Sequence, residues 1–291
     1  DYDFPAPVYF FPSSDYKSEE NIIFYHDFLK EQKIDIIINQ CGLFEDSTLY
    51  LNIGDNKCKT ISVLHSNPML NFEHLASEEL MLKDATFIGF LKLMARICLY
   101  PLIKGNYITS RRKHYDFLFP NSDRVCLLSN SHIEDFEKYY KIYDRKKIVA
   151  ISNPNSFELQ ICEKKKQLLY VGRLDRGQKR PDRLIKIWKR LYKNFPDWEM
   201  VIVGDGEERE RLEKEAKKLE RISFVGFQSP EQYYRDASIF CLTSNFEGFG
   251  MVLIEAQSYA LPTISFDIAT GPRDIIENEK SGYLIEDNNL N

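Results

Sequence analysis

Ser244-Asn245-Phe246-Glu247-Gly248-Phe249-Gly250-Met251-Val252-Leu253-Ile254-Glu255-Ala256 is the stretch on which the reading of this chain turns. It follows the apolar run Ile239–Thr243 and leads into an apolar helical stretch, so it joins a strand to a helix. Gly248 and Gly250 let backbone N–H groups come close to a ligand, and a helix beginning near Gly250 turns its positive end toward an anion. Glu247 then stands beside that anion site, and Glu255 lies about two turns into the helix. Acids at both positions are hard to assign to packing. Two acceptors about a sugar's width apart suit recognition of hydroxyls, one on a hexose and one on a ribose.

Working outward, short β-branched runs alternate with longer amphipathic stretches, the pattern of βα units around parallel sheets. In the first half the expected strands are Asp35–Asn39, Thr60–His65, Val125–Ser129 and Ile148–Ile151. In the second half they are Leu168–Val171, Met200–Val203, Ile222–Val225, Ile239–Thr243 and Thr263–Phe266. Arg183 to Asn194 places Leu184, Ile187, Trp188 and Leu191 on one helical face, and the charged stretch Glu207 to Glu220 reads as a surface helix. Ser152-Asn153-Pro154-Asn155 breaks the chain after Ile151. The expected organisation is two α/β parallel-sheet domains, residues 1–154 and 155–291, facing a cleft. Ligands of such sheets bind at the carboxyl ends of strands.

Two other glycine-bearing strand ends share part of the pattern of known phosphate loops. Gly172-Arg173-Leu174-Asp175-Arg176-Gly177-Gln178-Lys179 resembles a Walker A loop only superficially, because Gln178 stands where the lysine must be and no Ser or Thr follows Lys179. What remains is Arg173 and Lys179 in one loop, placed to converge on a diphosphate, with a solvated basic loop as the bland alternative. Gly204-Asp205-Gly206 lacks the third glycine of a dinucleotide fingerprint, with Arg209 in its place, and Glu207 and Glu208 would repel a pyrophosphate. Tight-turn glycines are the expectation there.

Composition narrows the classes. The chain has 291 residues, with 39 Lys+Arg against 44 Asp+Glu and a net charge of −5, which disfavours a globally basic nucleic-acid binder. Hydrophobic residues make up 43%, enough to bury two cores and to exclude a disordered chain. Six cysteines without a CxxC pair point to reduced thiols and a cytoplasmic location. Asp1-Tyr2-Asp3-Phe4-Pro5 shows no signal peptide, and the absence of an initiator Met suggests a start part-way through a longer protein. The apolar run Phe87 to Ile103 is interrupted by Lys92 and Arg96, so no transmembrane segment is expected.

With those residues in hand, the sequence resembles the retaining glycosyltransferases of family 4, which have the two-domain GT-B fold. The resemblance covers the C-terminal half and rests on an ordered set: Gly172-Arg173 with Lys179, Gly204-Asp205-Gly206, Val225-Gly226-Phe227, Glu247 through Glu255, Gly271-Pro272 and Ser281-Gly282-Tyr283. It implies that Arg173 and Lys179 grip a donor diphosphate, that Glu247 contacts donor-sugar hydroxyls and that Glu255 contacts the ribose. It also implies that Gly248, Phe249 and Gly250 belong to the nucleotide-sugar site, and that Val225 and Phe227 lie near the base. In the first half, Val63-Leu64-His65 resembles the strand end whose histidine faces the cleft, with a structural histidine as the alternative. His26, His74, His114 and His132 read as surface or packing residues. The family's opening Gly-rich loop and closing helices have no counterpart, so a fragment of an active enzyme is expected.

The implied reaction moves a hexose from a nucleotide-diphosphate sugar, expected to be UDP-linked, to a glycan or lipid-linked acceptor in cell-surface polysaccharide synthesis, with retention. Negative charge grows on the diphosphate as the C1–O bond breaks, so fixed positive groups should contribute most, and no metal or other cofactor is expected. Asp1-Tyr2-Asp3 does not follow a strand, which disfavours a metal-dependent GT-A enzyme. Alternatives are a nucleotide-sugar epimerase or a non-catalytic nucleotide-sugar-binding subunit on the same fold, and more remotely a nicotinamide oxidoreductase. From Ala85 to Tyr115 the charged residues are Lys92, Arg96, Lys104, Arg111, Arg112 and Lys113, all basic among large apolar residues. An interfacial helix in peripheral contact with the anionic inner face of a membrane is one reading; a core helix with a solvated stripe is the other.

Overall fold

The computed structural model describes residues 6–52, 58–66, 86–142, 144–287 and 289–290. Its first sheet has four parallel strands in the order β1-β2-β3-β4: Ile36–Asn39, Lys59–Leu64, Arg124–Leu127 and Ile148–Ala150. Helix α1 (Glu19–Glu31) precedes β1, and the short α2 (Glu45–Thr48) follows it. Between β2 and β3 runs α3, Phe87–Leu118, capped by the Thr86 hydroxyl and containing Pro101. Only its last turns enter the core, where Tyr115 and Leu118 pack with Leu64, Val125, Leu127, Phe136 and Tyr140. Helix α4 (Asn130–Glu137) follows β3, capped by Ser129.

The second sheet has six parallel strands in the order β10-β9-β8-β5-β6-β7. In chain order these are β5 (Gln167–Val171), β6 (Glu199–Val203), β7 (Ile222–Gly226), β8 (Ile239–Leu242), β9 (Thr263–Phe266) and β10 (Gly282–Ile285). The intervening helices are α5 (Asp182–Leu191), α6 (Arg209–Ala216), α7 (Glu231–Asp236), α8 (Met251–Ser258) and α9 (Pro272–Ile275). Alternate strand residues feed two cores. Leu168, Tyr170, Met200 and Ile202 face Leu184, Trp188 and Leu212 of α5 and α6, while Leu169, Val201 and Leu242 face Tyr234, Leu253 and Tyr259. Burial on both faces is why these strands read as near-continuous apolar runs.

Each expected strand is present to within a residue or two. Strand β10 is an addition: four residues opening on Gly282, a position where a Cβ would lie 1.9 Å from the Thr263 carbonyl oxygen. The two expected helices are shorter than their patterns, and α6 buries Leu212 and Ala216 while its charged residues face outward. The connection from β4 to β5 is fastened to the second sheet's helices, with Gln160 N–H donating to Ser258 and Lys165 N–H to Asp236. His74, Asp1 and Asp3 lie outside the described residues.

Candidate functional site at the switch point of the second sheet

Strand order decides where the site sits. After β5 the chain moves to β6 on one side, and β8 later returns to the other side of β5, so the crevice between β5 and β8 is a topological switch point. The loops that leave these two strands are therefore neighbours, and they are sewn together. Asn245 N–H donates to Gln178 O at 2.8 Å, Asn245 Nδ2 to Gly177 O at 2.9 Å, and Thr243 Oγ1 to Lys179 O at 3.1 Å.

Within this crevice Lys179 Nζ donates to both oxygens of Glu247, at 2.7 and 2.9 Å, and Ser244 Oγ donates to Oε1 at 2.6 Å. Both partners are largely buried, their side chains 17% and 5% exposed. A buried pair of this kind fixes geometry more than it adds stability, because both charges lose hydration. Arg173 is different. Its side chain is 64% exposed and donates from Nε to Asp175 at 2.9 Å and from Nη2 to Gln178 at 3.3 Å. Asp175 also accepts from the backbone N–H groups of Gln178 and Lys179, so one carboxylate shapes the whole loop. That hydrogen-bonded neighbour raises the Arg173 pKa further and keeps the guanidinium charged.

Helix α8 opens immediately after Glu247-Gly248-Phe249-Gly250, with Gly250 at φ +90° as its N-cap residue. The structure thus gathers Lys179, Glu247 and the N-terminus of α8 at one place, with Arg173 on the rim of the same loop. Glu255 lies further along α8 and accepts from the Tyr234 hydroxyl at 2.8 Å. Phe227, just past β7, is 89% exposed. Val225 packs against the core, and the Phe249 side chain is buried.

The first domain meets this loop closely. His65, one residue beyond β2, is exposed, and its Nε2 lies 2.5 Å from Gln40 Oε1. Its carbonyl oxygen would be 3.2 Å from a Cβ placed on Gly248. Gly248 therefore admits the other domain as well as any ligand. Ser131 of α4 donates to Asp274 of α9 at 2.5 Å across the same seam. Three elements of the arrangement had no role in the sequence reading: Ser244, Asp175 and the seam residues Ser131, His132 and Asp274. An Asp three residues before Gln178 is an ordinary loop-turn signal and was available; the seam partners are remote in sequence and left no such sign. Among the described residues no cluster of His, Cys, Asp and Glu has the arrangement of a metal site.

Two parallel-sheet α/β domains with the site at a switch point define the GT-B class. The lipopolysaccharide outer core galactosyltransferase WaaB superposes with a TM-score of 0.64 at 25% identity, covering 93% of this chain and 67% of that one. TarM superposes with a TM-score of 0.65 at 22% identity, over 93% of this chain and 49% of that one, which speaks for the fold alone. Residues 152–291 match the family model of glycosyl transferases group 1. Among curated relatives, the amylovoran biosynthesis glycosyltransferase AmsD of Erwinia amylovora is 41% identical over 45% of this chain and 37% of its own length. The lipopolysaccharide 1,6-galactosyltransferase of Salmonella typhimurium is 36% identical over 47% of this chain and 41% of its own. An uncharacterized glycosyltransferase of Haemophilus influenzae is 35% identical over 58% of this chain and 48% of its own. The matches thus span less than half of each of these three relatives.

Proposed function

We propose that this chain carries the donor site of a retaining glycosyltransferase that moves a hexose from a UDP-linked sugar to a glycan or lipid-linked acceptor in bacterial cell-surface polysaccharide synthesis. The observation that carries the reading is the Lys179–Glu247 pair at the N-terminus of α8, beside the exposed guanidinium of Arg173. A donor diphosphate seated there would meet Lys179, Arg173 and the helix's unsatisfied N–H groups, all fixed before the leaving group develops charge. Glu247 accepts from sugar hydroxyls, and Glu255, oriented by Tyr234, from the ribose. No metal is needed where these groups neutralise the diphosphate. His65 reaches the cleft from the acceptor side. The names of the AmsD and galactosyltransferase relatives favour polysaccharide synthesis over the epimerase and binding-subunit alternatives.

The acceptor's setting follows from α3. Phe87, Ile88, Leu91 and Leu102 are 76, 63, 52 and 67% exposed, in a segment whose charges are the basic Lys92, Arg96 and Lys104. No helix among the described residues is long and apolar enough to cross a membrane. Such a segment suits shallow burial in an anionic interface, each basic residue contributing up to ~1 kcal/mol. Vesicle co-sedimentation that needs anionic lipid and weakens with salt is the expected result; equal recovery on neutral vesicles removes the membrane from the reading.

Saturation-transfer NMR against a panel of nucleotide sugars tests the donor assignment. Uridine and hexose protons should both receive saturation, and an acceptor screen with the selected donor should then yield an α-linked product from an α-linked donor. Equal saturation across unrelated nucleotides, or none, overturns it.

A further inference from the structure

Arg183, in the first turn of α5, is 1% exposed, an uncommon place for a side chain that stays charged throughout the physiological pH range. Its guanidinium lies against the carboxyl ends of three neighbouring strands. Nη1 donates to the Thr243 carbonyl, just past β8, at 3.0 Å; the Phe266 ring at the end of β9 faces the guanidinium at 4.5 Å; and Nη2 pairs with Asp287, two residues past β10, at 3.1 Å.

This is where the chain leaves β8 for the loop that bears Glu247. Thr243 and Ser244 are both buried, and a buried carbonyl at the end of a strand needs a donor. Arg183 supplies it from the helix side. The Thr243 hydroxyl meanwhile donates to the Lys179 carbonyl, and the Ser244 hydroxyl donates to Glu247 Oε1. Arg183 therefore holds the root of the loop, one residue before the serine that binds the Glu247 carboxylate. A neutral donor would satisfy one carbonyl at a smaller cost in lost hydration, whereas the planar fork holds Thr243 and Asp287 at once with its face on Phe266.

We propose that Arg183 is a positioning residue for the sugar end of the donor site: by fixing Thr243 it sets where Ser244 and Glu247 stand, without touching the donor itself. The inference rests on the donor reading for the role of Glu247, while the hold on Thr243 needs no ligand. Its signature is a split between the two ends of the donor. Recognition of the hexose depends on the aim of Glu247 and weakens when Arg183 is lost. Arg173 is held by Asp175 within its own loop, and Glu255 by Tyr234, so UDP without a sugar keeps those partners.

The experiment uses the full chain with Arg183→Met, which keeps much of the side chain's bulk and removes its donors, and with Arg183→Lys, which keeps a charged donor without the fork. Amide hydrogen exchange across Thr243–Phe249 is measured without nucleotide. Calorimetry then gives dissociation constants for UDP and, in parallel, for UDP-glucose, UDP-galactose and UDP-N-acetylglucosamine, at a temperature where each variant is folded. In Arg183→Met, exchange in that segment should rise about tenfold, the preference for the tightest UDP-sugar over UDP should fall about tenfold, and UDP itself should bind within about twofold of the wild type. Arg183→Lys should recover part of both losses. Wild-type exchange and sugar preference in Arg183→Met overturn the proposal, and so does an equal loss of UDP and UDP-sugar affinity, which marks a general loosening of the domain. If Arg183→Met fails to fold, Arg183→Lys decides: a reduced sugar preference with UDP affinity kept supports the proposal, and a wild-type preference overturns it. Should exchange respond as expected while the wild type binds none of the three sugars more tightly than UDP, the hold on Thr243 stands and the reading of Glu247 falls.

Discussion

Two glycine pairs end strands of the second sheet, and what approaches them differs. At Gly204 and Gly206, after β6, the visitor is the protein's own backbone: a Cβ on Gly204 would sit 1.9 Å from the Gly172 carbonyl oxygen, and one on Gly206 2.4 Å from that of Leu174. Leu174 N–H donates to Asp205 O, and Glu208 N–H to Leu174 O, so this pair buttresses the loop that bears Arg173. At Gly248 the visitor is the first domain, and Gly250 opens a helix toward the crevice. Glycine spacing alone signals a close approach without saying whose. A buttress should fail by unfolding, a docking point by loss of binding.

The sharpest way to break this contrast lies between the two glycine pairs. Lys179→Ala leaves the Glu247 carboxylate buried with Ser244 as its remaining side-chain donor, and should cost about 3–5 kcal/mol in urea unfolding as well as donor affinity. Adding Glu247→Gln should recover much of the stability but none of the affinity. A Lys179→Ala variant as stable as the wild type would mean that the pair is solvated in solution.

Next in size is Gly204→Ala. With φ at +137° and no room for a methyl group, it should lose about 2–4 kcal/mol, read from the denaturation midpoint. Gly248→Ala should cost no more than about 1 kcal/mol, since its backbone is unstrained and its Cβ would only crowd the His65 carbonyl at 3.2 Å. Its donor KM should nevertheless rise several-fold. Equal unfolding costs at the two positions would erase the distinction between buttress and docking point.

Smallest in stability is Arg173→Ala, within about 0.5 kcal/mol of the wild type because its ion pair is on the surface. Its donor affinity should fall by roughly the ~1.5–3 kcal/mol of a charge-assisted hydrogen bond, measured by titration calorimetry with UDP. Arg173 and Lys179 share a loop and a charge, so opposite balances of stability and affinity would show that burial, not sequence proximity, separates their roles.

Much of this molecule is written locally. Strands such as Met200–Val203 are legible because β-branched apolar runs fit a sheet buried on both faces, and α5 because Leu184, Ile187, Trp188 and Leu191 fall on one helical face. Glu247 and Glu255 stood out because acids flanking and entering an apolar helix have no packing rationale. Strand β10 escaped notice because four residues beginning with glycine carry too short a pattern. What sequence alone could not give is which loops become neighbours. Lys179 and Glu247 are 68 residues apart, and Ser131 and Asp274 are 143 apart. The first pair meets because β8 lies beside β5, the second because one domain rests on the other. Local periodicity determines which face a residue takes; strand order and domain contact, set by long-range packing, decide that Lys179 holds Glu247, that Gly204 serves the fold, and that Ser131 meets Asp274 at the seam.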